Sequence, residues 1–92
     1  AVEIEGETLA PEAEGAVRAI LGKTYYGLSL DRQAEPHLRK ALELLRRTEG
    51  PDGEATLEVT NDLALVLRAL DRSGEAKKLI EGAIERLNQR YG

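Results

Sequence analysis

The chain repeats itself once with a period of 42 residues, and no other feature restricts its fold as strongly. Apolar and small residues dominate the matches, which are the types that become buried. Because a tandem repeat of this length indicates like units packed side by side, a helical repeat architecture is expected. The residues repeated unchanged 42 positions later are Glu12, Ala13, Val17, Leu21, Leu28, Ala34, Ala41, Glu43, Leu45 and Gly50.

Apolar residues within each unit recur at helical spacing. In the first unit, one series runs from Val17 through Leu21 and Tyr25 to Leu28, and a second runs from Ala34 to Leu45. Each series forms a single apolar stripe when wound at 3.6 residues per turn. The sequence therefore predicts an all-α fold of two helix–turn–helix units.

Proline, glycine and acidic residues predict where the four helices begin and end. Pro11 suits a first helical turn, and Asp31 is a candidate cap for the second helix, with Pro36 in that helix's first turn. The segment Gly50-Pro51-Asp52-Gly53 breaks the chain between the units. The predicted helices run from Pro11 to about Leu30, from about Asp31 to Thr48, from between Asp52 and Ala55 to about Asp71, and from Asp71 or Ser73 through Arg90.

The spacing of large and small residues resembles the tetratricopeptide repeat. Its first helix places a small residue beside a large one, and its second places small, large and small residues at fixed offsets. The residues that carry the resemblance are Leu21, Gly22, Tyr25, Ala34, Leu38 and Ala41 in the first unit, and Leu63, Ala64, Leu67, Ala76, Ile80 and Ala83 in the second.

The 42-residue period and the strings QAEPHLRKALELLRRTEG and NDLALVL look like the kinesin-light-chain subclass of that family. The resemblance covers residues 12–92 and departs from the subclass at Gly53-Glu54, Asn61-Asp62 and Ala19-Ile20. It implies four antiparallel helices in a short right-handed α-solenoid. The implied units are 11–50 and 51–92, and residues 1–10 form an acidic leader or the end of a preceding element.

The resemblance also implies a concave groove, lined by the first helix of each unit, that binds a peptide or helix of a partner. Asn61 is the preferred contact because its amide both donates and accepts, although it also suits a solvated surface. Tyr26, with Ile20 and Leu65, is a candidate apolar anchor or a stripe buried by a neighbouring repeat or a second copy. The candidate groove residues are Ile20, Lys23, Tyr26, Glu58, Asn61, Asp62, Leu65 and Arg68.

Catalysis and cofactor binding find no support in the residue inventory. Cysteine is absent, and His37 is the only histidine, predicted on the exposed side of the second helix. No Ser–His–acid set or phosphate-binding loop occurs, so neither catalytic residues, metal ligands nor a cofactor are expected.

The charge pattern argues against nucleic acid as a partner. Glu3, Glu5, Glu7, Glu12 and Glu14 lie in residues 1–15 with no base, and the rest of the chain is nearly neutral. No apolar run approaches a membrane span, which predicts a soluble, cytoplasmic protein. We therefore expect a non-enzymatic protein-interaction scaffold that binds a protein or peptide, or alternatively a module that forms a homo-oligomer through its exposed repeat ends.

Overall fold

The computed structural model describes residues 3–4 and 7–92, which form four helices preceded by one short strand pair. The helices are α1 (Pro11–Gly27), α2 (Asp31–Thr48), α3 (Glu54–Ala69) and α4 (Ser73–Tyr91). Strands β1 (Glu3–Ile4) and β2 (Glu7–Thr8) pair antiparallel over two residues each. The predicted all-α architecture of two helix–turn–helix units is confirmed.

The turn inside each unit ends its first helix with a left-handed residue. Ser29 has φ +61° and Asp71, 42 positions later, has φ +64°. In both units, the backbone N–H of the next residue donates a hydrogen bond to the carbonyl oxygen five positions earlier. These bonds run from Leu30 N to Tyr25 O and from Arg72 N to Leu67 O, each at 2.8 Å. This hydrogen-bond pattern is the Schellman motif. It ends α1 at Gly27 and α3 at Ala69, slightly before the predicted ends.

Two sequence predictions about the start of α2 are wrong. Asp31 does not cap the helix, because Asp31 is already helical and the N-cap is Leu30, which makes no side-chain cap bond. Pro36 is also beyond the first turn, since α2 begins at Asp31. Pro36 therefore leaves the Arg32 carbonyl without the amide that would normally bond to it four residues later.

The start of α3 is capped by a carboxylate from outside the helix. Its N-cap, Gly53, has no side chain, and Glu49 Oε1 instead accepts the backbone N–H of Thr56 at 2.8 Å. A Cβ on Gly53 would collide with the Glu49 side chain. Glycine at residue 53 thus leaves room for a cap contributed by the last residue before the interunit loop.

We expect Glu49→Ala to lower the free energy of unfolding by about 1 kcal/mol, because the first turn of α3 would lose its carboxylate cap. Urea unfolding followed by circular dichroism measures the change. Glu85→Ala is the matched control, since Glu85 is an exposed glutamate on α4. An equal effect of the two substitutions would argue against the cap.

The apolar core is centred on the seam between the two units. It combines aliphatic residues of α2 and α3 with Ala76 of α4, and Tyr25, Leu79 and Ile80 pack against its edge. The buried hydroxyls of Thr56 and Thr60 are satisfied by carbonyl oxygens 2.8 Å away. Although these helices pack around an apolar core, no helix in the described part of the chain is both long and apolar enough to cross a bilayer. The core residues are Ala34, Leu38, Ala41, Leu42, Leu45, Val59, Leu63, Ala64, Val66, Leu67 and Ala76.

A ring of four charged side chains ties α2 to the start of α4. Arg72 donates to both carboxylate oxygens of Glu35, at 2.7 and 2.8 Å, and also to Glu75. Arg39 bonds to the same two glutamates. Each arginine thus contacts both acids, which fixes the orientation of the second unit on the first more firmly than a single exposed pair does.

Candidate functional site

The predicted groove residues fall into separate groups. Lys23 of α1 forms an ion pair with Glu58 of α3, and its Nζ lies 3.8 Å from Asp62 Oδ2. Burial raises the pKa of Asp62, and the positive charge of Lys23 partly opposes that rise. Lys23 therefore links the two acids of α3 across the α1–α3 contact, and within the described residues the buried Asp62 Oδ2 has no hydrogen-bond partner.

Three other predicted residues, Asn61, Leu65 and Arg68, meet at a hollow between α3 and α4. Its volume is about 500 Å³, and it is open to solvent on one side. Ala64 and Ala76, both buried, supply small residues to it. The remaining lining residues, Ser73, Lys77, Ile80 and Glu81, all belong to α4.

Tyr26 lies beside this hollow but belongs to a neighbouring depression. That depression, about 380 Å³ in volume, is lined by Tyr26, Leu65 and Arg68 together with Ala69 and Ser73. The residues Leu65, Arg68 and Ser73 line both cavities. Ile20 lines neither of them and leaves 64% of its surface exposed.

The α3–α4 hollow has an occupied counterpart in the first unit. The residues 42 positions before those that line the hollow lie on the surface of α1 and α2 against which α3 packs. Lys23 bonds to Glu58 of α3, whereas Glu35 and Arg39 bond to Arg72 and Glu75 at the start of α4. Another of these counterparts, Leu38, is completely buried. The hollow in the second unit therefore corresponds to the surface of the first unit against which the second unit packs.

His37 does not lie on the exposed side of α2 as predicted. Its ring stacks on Tyr25 of α1 with 5.4 Å between centroids, and its Nδ1 accepts from Arg18 at 3.3 Å. Arg18 in turn lies 3.5 Å from the buried carboxylate of Glu14. Burial, with the positive charge of Arg18, lowers the pKa of His37. These contacts give His37 a packing role between α1 and α2.

Across residues 3–4 and 7–92, no three His, Asp or Glu side chains come together in a way that suits a metal ion. The charged groups described above pair with one another instead.

The α4 side of the hollow lies outside the predicted groove, which only the first helix of each unit lines. This side comprises Ser73, Lys77, Ile80 and Glu81. The 42-residue shift contains the necessary signal. It matches Lys77 and Glu81 with Glu35 and Arg39, which contact the next unit.

The fold defines a helical-repeat protein with an open hollow between its last two helices. The sequence model for the tetratricopeptide repeat matches residues 13–89, and the chain belongs to that family. Repeats of this family generally mediate protein–protein interactions and are non-catalytic.

Lon protease 2 of Syntrophobacter fumaroxidans is 32% identical over 87 residues, which are 95% of this chain and 10% of that protein. The chain thus spans about a tenth of the length of this relative. No solved structure matches this chain.

Proposed function

We propose that this chain is a protein-interaction scaffold that binds an amphipathic helix of a partner protein in the α3–α4 hollow. The observation that carries the proposal is the equivalence of this hollow to the α1–α2 surface on which α3 packs. Ala64 and Ala76 support it further, because small side chains allow a helix backbone to approach closely. The hollow extends the concave groove predicted from the first helices onto α4.

The rim of the hollow favours a particular charge pattern on the bound helix. Glu35 and Arg39, which contact the second unit, are replaced 42 positions later by Lys77 and Glu81, with both signs reversed. A partner with an acid near Lys77 and a base near Glu81 would complement this rim. Asn61 adds an exposed amide that can bond to side chains or to the ends of the partner helix.

Further aspects of function belong to the same proposal. The 42-residue period favours placement in the kinesin-light-chain-like subclass, with units at 11–50 and 51–92. A non-enzymatic role of this chain is consistent with its residue inventory, and the match to Lon protease 2 concerns only a tenth of that protein. Self-association is the second candidate, because Ile20, Leu28 and Ile84 are all more than half exposed.

A displayed library of amphipathic helical peptides, selected on the chain carrying Ile20→Glu, would test the proposal. Ile20 lies outside the hollow, so this variant keeps the hollow intact while disfavouring self-association. We expect the selected peptides to bind with micromolar affinity and to lose at least about tenfold on Leu65→Glu, since a charge would face their apolar side. Isothermal titration calorimetry measures the loss.

The control for that experiment is Gly74→Glu, which adds the same charge on α4 where the space around residue 74 is open. It should leave peptide affinity unchanged. Asn61→Ala should weaken binding by a smaller factor than Leu65→Glu. Selected peptides that bind equally well to the Leu65→Glu variant would show that the hollow is not the site.

A further inference from the structure

We propose that the helix seated in the α3–α4 hollow is α1 of a second copy of this chain, so that copies stack end to end. The proposal rests on the hollow being a helix-binding site and names its occupant. Two surfaces are involved. The C-terminal face comprises Leu65, Lys77, Glu81 and Ile84, and the N-terminal face comprises Ala16, Ile20, Leu21, Leu28 and Leu30.

Residues of the C-terminal face have the exposure of an uncovered interface. Leu42 of α2 is 4% exposed because the second unit covers it, whereas its counterpart Ile84 on α4 is 51% exposed. Leu42 and its neighbours Arg39 and Arg46 border a cavity that Leu63 and Leu79 of the second unit close. The counterparts Glu81, Ile84 and Asn88 border an open cavity lined by α4 alone. The C-terminal face is therefore uncovered at the positions whose first-unit counterparts are covered by the second unit.

Residues of the N-terminal face are also less buried than their counterparts in the second unit. Val59, Leu63 and Leu67 of α3 are completely or almost completely buried at the interunit seam. Their counterparts on α1, Val17, Leu21 and Tyr25, are only half-buried. Leu28 is 64% exposed, whereas its counterpart Leu70 packs against the core. This face presents the same side of a unit that α3 turns toward α2.

Side-chain pairing selects a second copy as the occupant. At the interunit seam, Lys23 of the first unit meets Glu58 and Asp62 of the second. In an end-to-end stack with the same register, the counterparts that meet are Leu65 of one copy and Ala16 and Ile20 of the next. Both sides of an ion pair are thus replaced together by apolar residues. A change on one side alone would leave an unpaired charge against an apolar surface.

A second ion pair at the seam is replaced by a contact between an acid and an amide in the same register. Arg39 bonds to Glu75 across the seam, and the corresponding residues of two stacked copies are Glu81 and Gln33. The Gln33 amide is a suitable donor to the Glu81 carboxylate. Leu30 likewise takes the place of Arg72 and would lie along the aliphatic stem of Lys77. The two faces therefore match in their apolar contacts and in the Gln33–Glu81 contact, whereas Lys77 meets no acid in this register.

Stacking of this kind joins two different surfaces and does not close on itself. Each added copy leaves a fresh N-terminal face at one end and a fresh C-terminal face at the other. The average mass should therefore grow with concentration without stopping at a dimer. This behaviour separates the proposal from a symmetric dimer, in which one face pairs with itself.

Mixing two blocked variants tests the arrangement. Ile20→Glu disables only the N-terminal face, and Ile84→Glu disables only the C-terminal face; both residues are more than half exposed, so both variants should fold. We expect each variant alone to sediment as a monomer of 10.1 kDa. Their equimolar mixture should form a species of twice that mass and no larger, because one intact face of each kind remains.

The unmodified chain and Gly74→Glu are the references, measured by sedimentation equilibrium from about 1 µM to about 1 mM. Both should show a mass that rises continuously, and circular dichroism should show equal helicity for all variants. A monomer throughout, self-association of either blocked variant alone, or no dimer in the mixture would overturn end-to-end stacking. Failure here leaves peptide binding to the Ile20→Glu variant unaffected, so the two proposals fail separately.

Discussion

Leu67→Ala should lower the free energy of unfolding by about 2–5 kcal/mol, the largest effect we expect from a single substitution. Leu67 has no exposed surface and lies at the centre of the core on α3, packed between the two neighbouring helices. Removing its side chain loses buried apolar surface and leaves a cavity that rigid helices do not fill. Urea unfolding monitored by far-ultraviolet circular dichroism measures the change.

The same substitution at Leu28 is the matched control. Leu28 follows α1 and is 64% exposed, so Leu28→Ala should change the free energy of unfolding by about 0.5 kcal/mol or less. The difference between the two variants reports burial alone, because the chemical change is identical. Comparable losses at both positions would mean that the seam between the units is not the centre of the core.

Gly22→Ala should also destabilise the protein, although alanine is the better helix former. The added Cβ would overlap the side chain of Leu38, which is completely buried. Overpacking of this kind costs about 1–3 kcal/mol, against a gain of about 1 kcal/mol in helix propensity. A lowered midpoint of thermal unfolding is the expected result.

Two variants make this prediction specific to the contact. Gly82→Ala places the same methyl group on α4 with only Arg86 Nη1 nearby, at 3.6 Å, and should stabilise the protein. Leu38→Ile in the Gly22→Ala background recreates the Ala64–Ile80 pair of the second unit and should recover part of the loss. Stabilisation by Gly22→Ala would indicate a wider separation of α1 and α2.

Much of the fold could be predicted from the sequence, because helical periodicity and the 42-residue repeat both identify the same residues as buried. Gly22, Ala34 and Ala76 are buried as the small positions of the repeat require. The end of α2 at Thr48 and the start of α1 at Pro11 also match. These features depend on local sequence and on contacts that occur in both units.

The remaining features depend on contacts that periodicity does not encode. Asp31 looks like a cap, but the Schellman turn around Ser29 brings residue 31 into the helix. His37 was placed on the surface because its position in α2 is flanked by charged residues, whereas Tyr25 and Arg18 reach it from α1. The hollow combines residues of α3 and α4, so a groove predicted only from the first helices includes only part of its lining.

The helices contact one another mainly in the order in which they follow along the chain. Within the described residues, α1 packs on α2, α2 on α3 and α3 on α4, and the sparse α1–α3 contact is the exception. Only short loops must close before each contact forms, so little chain entropy is lost before packing begins. Low contact order of this kind favours rapid folding.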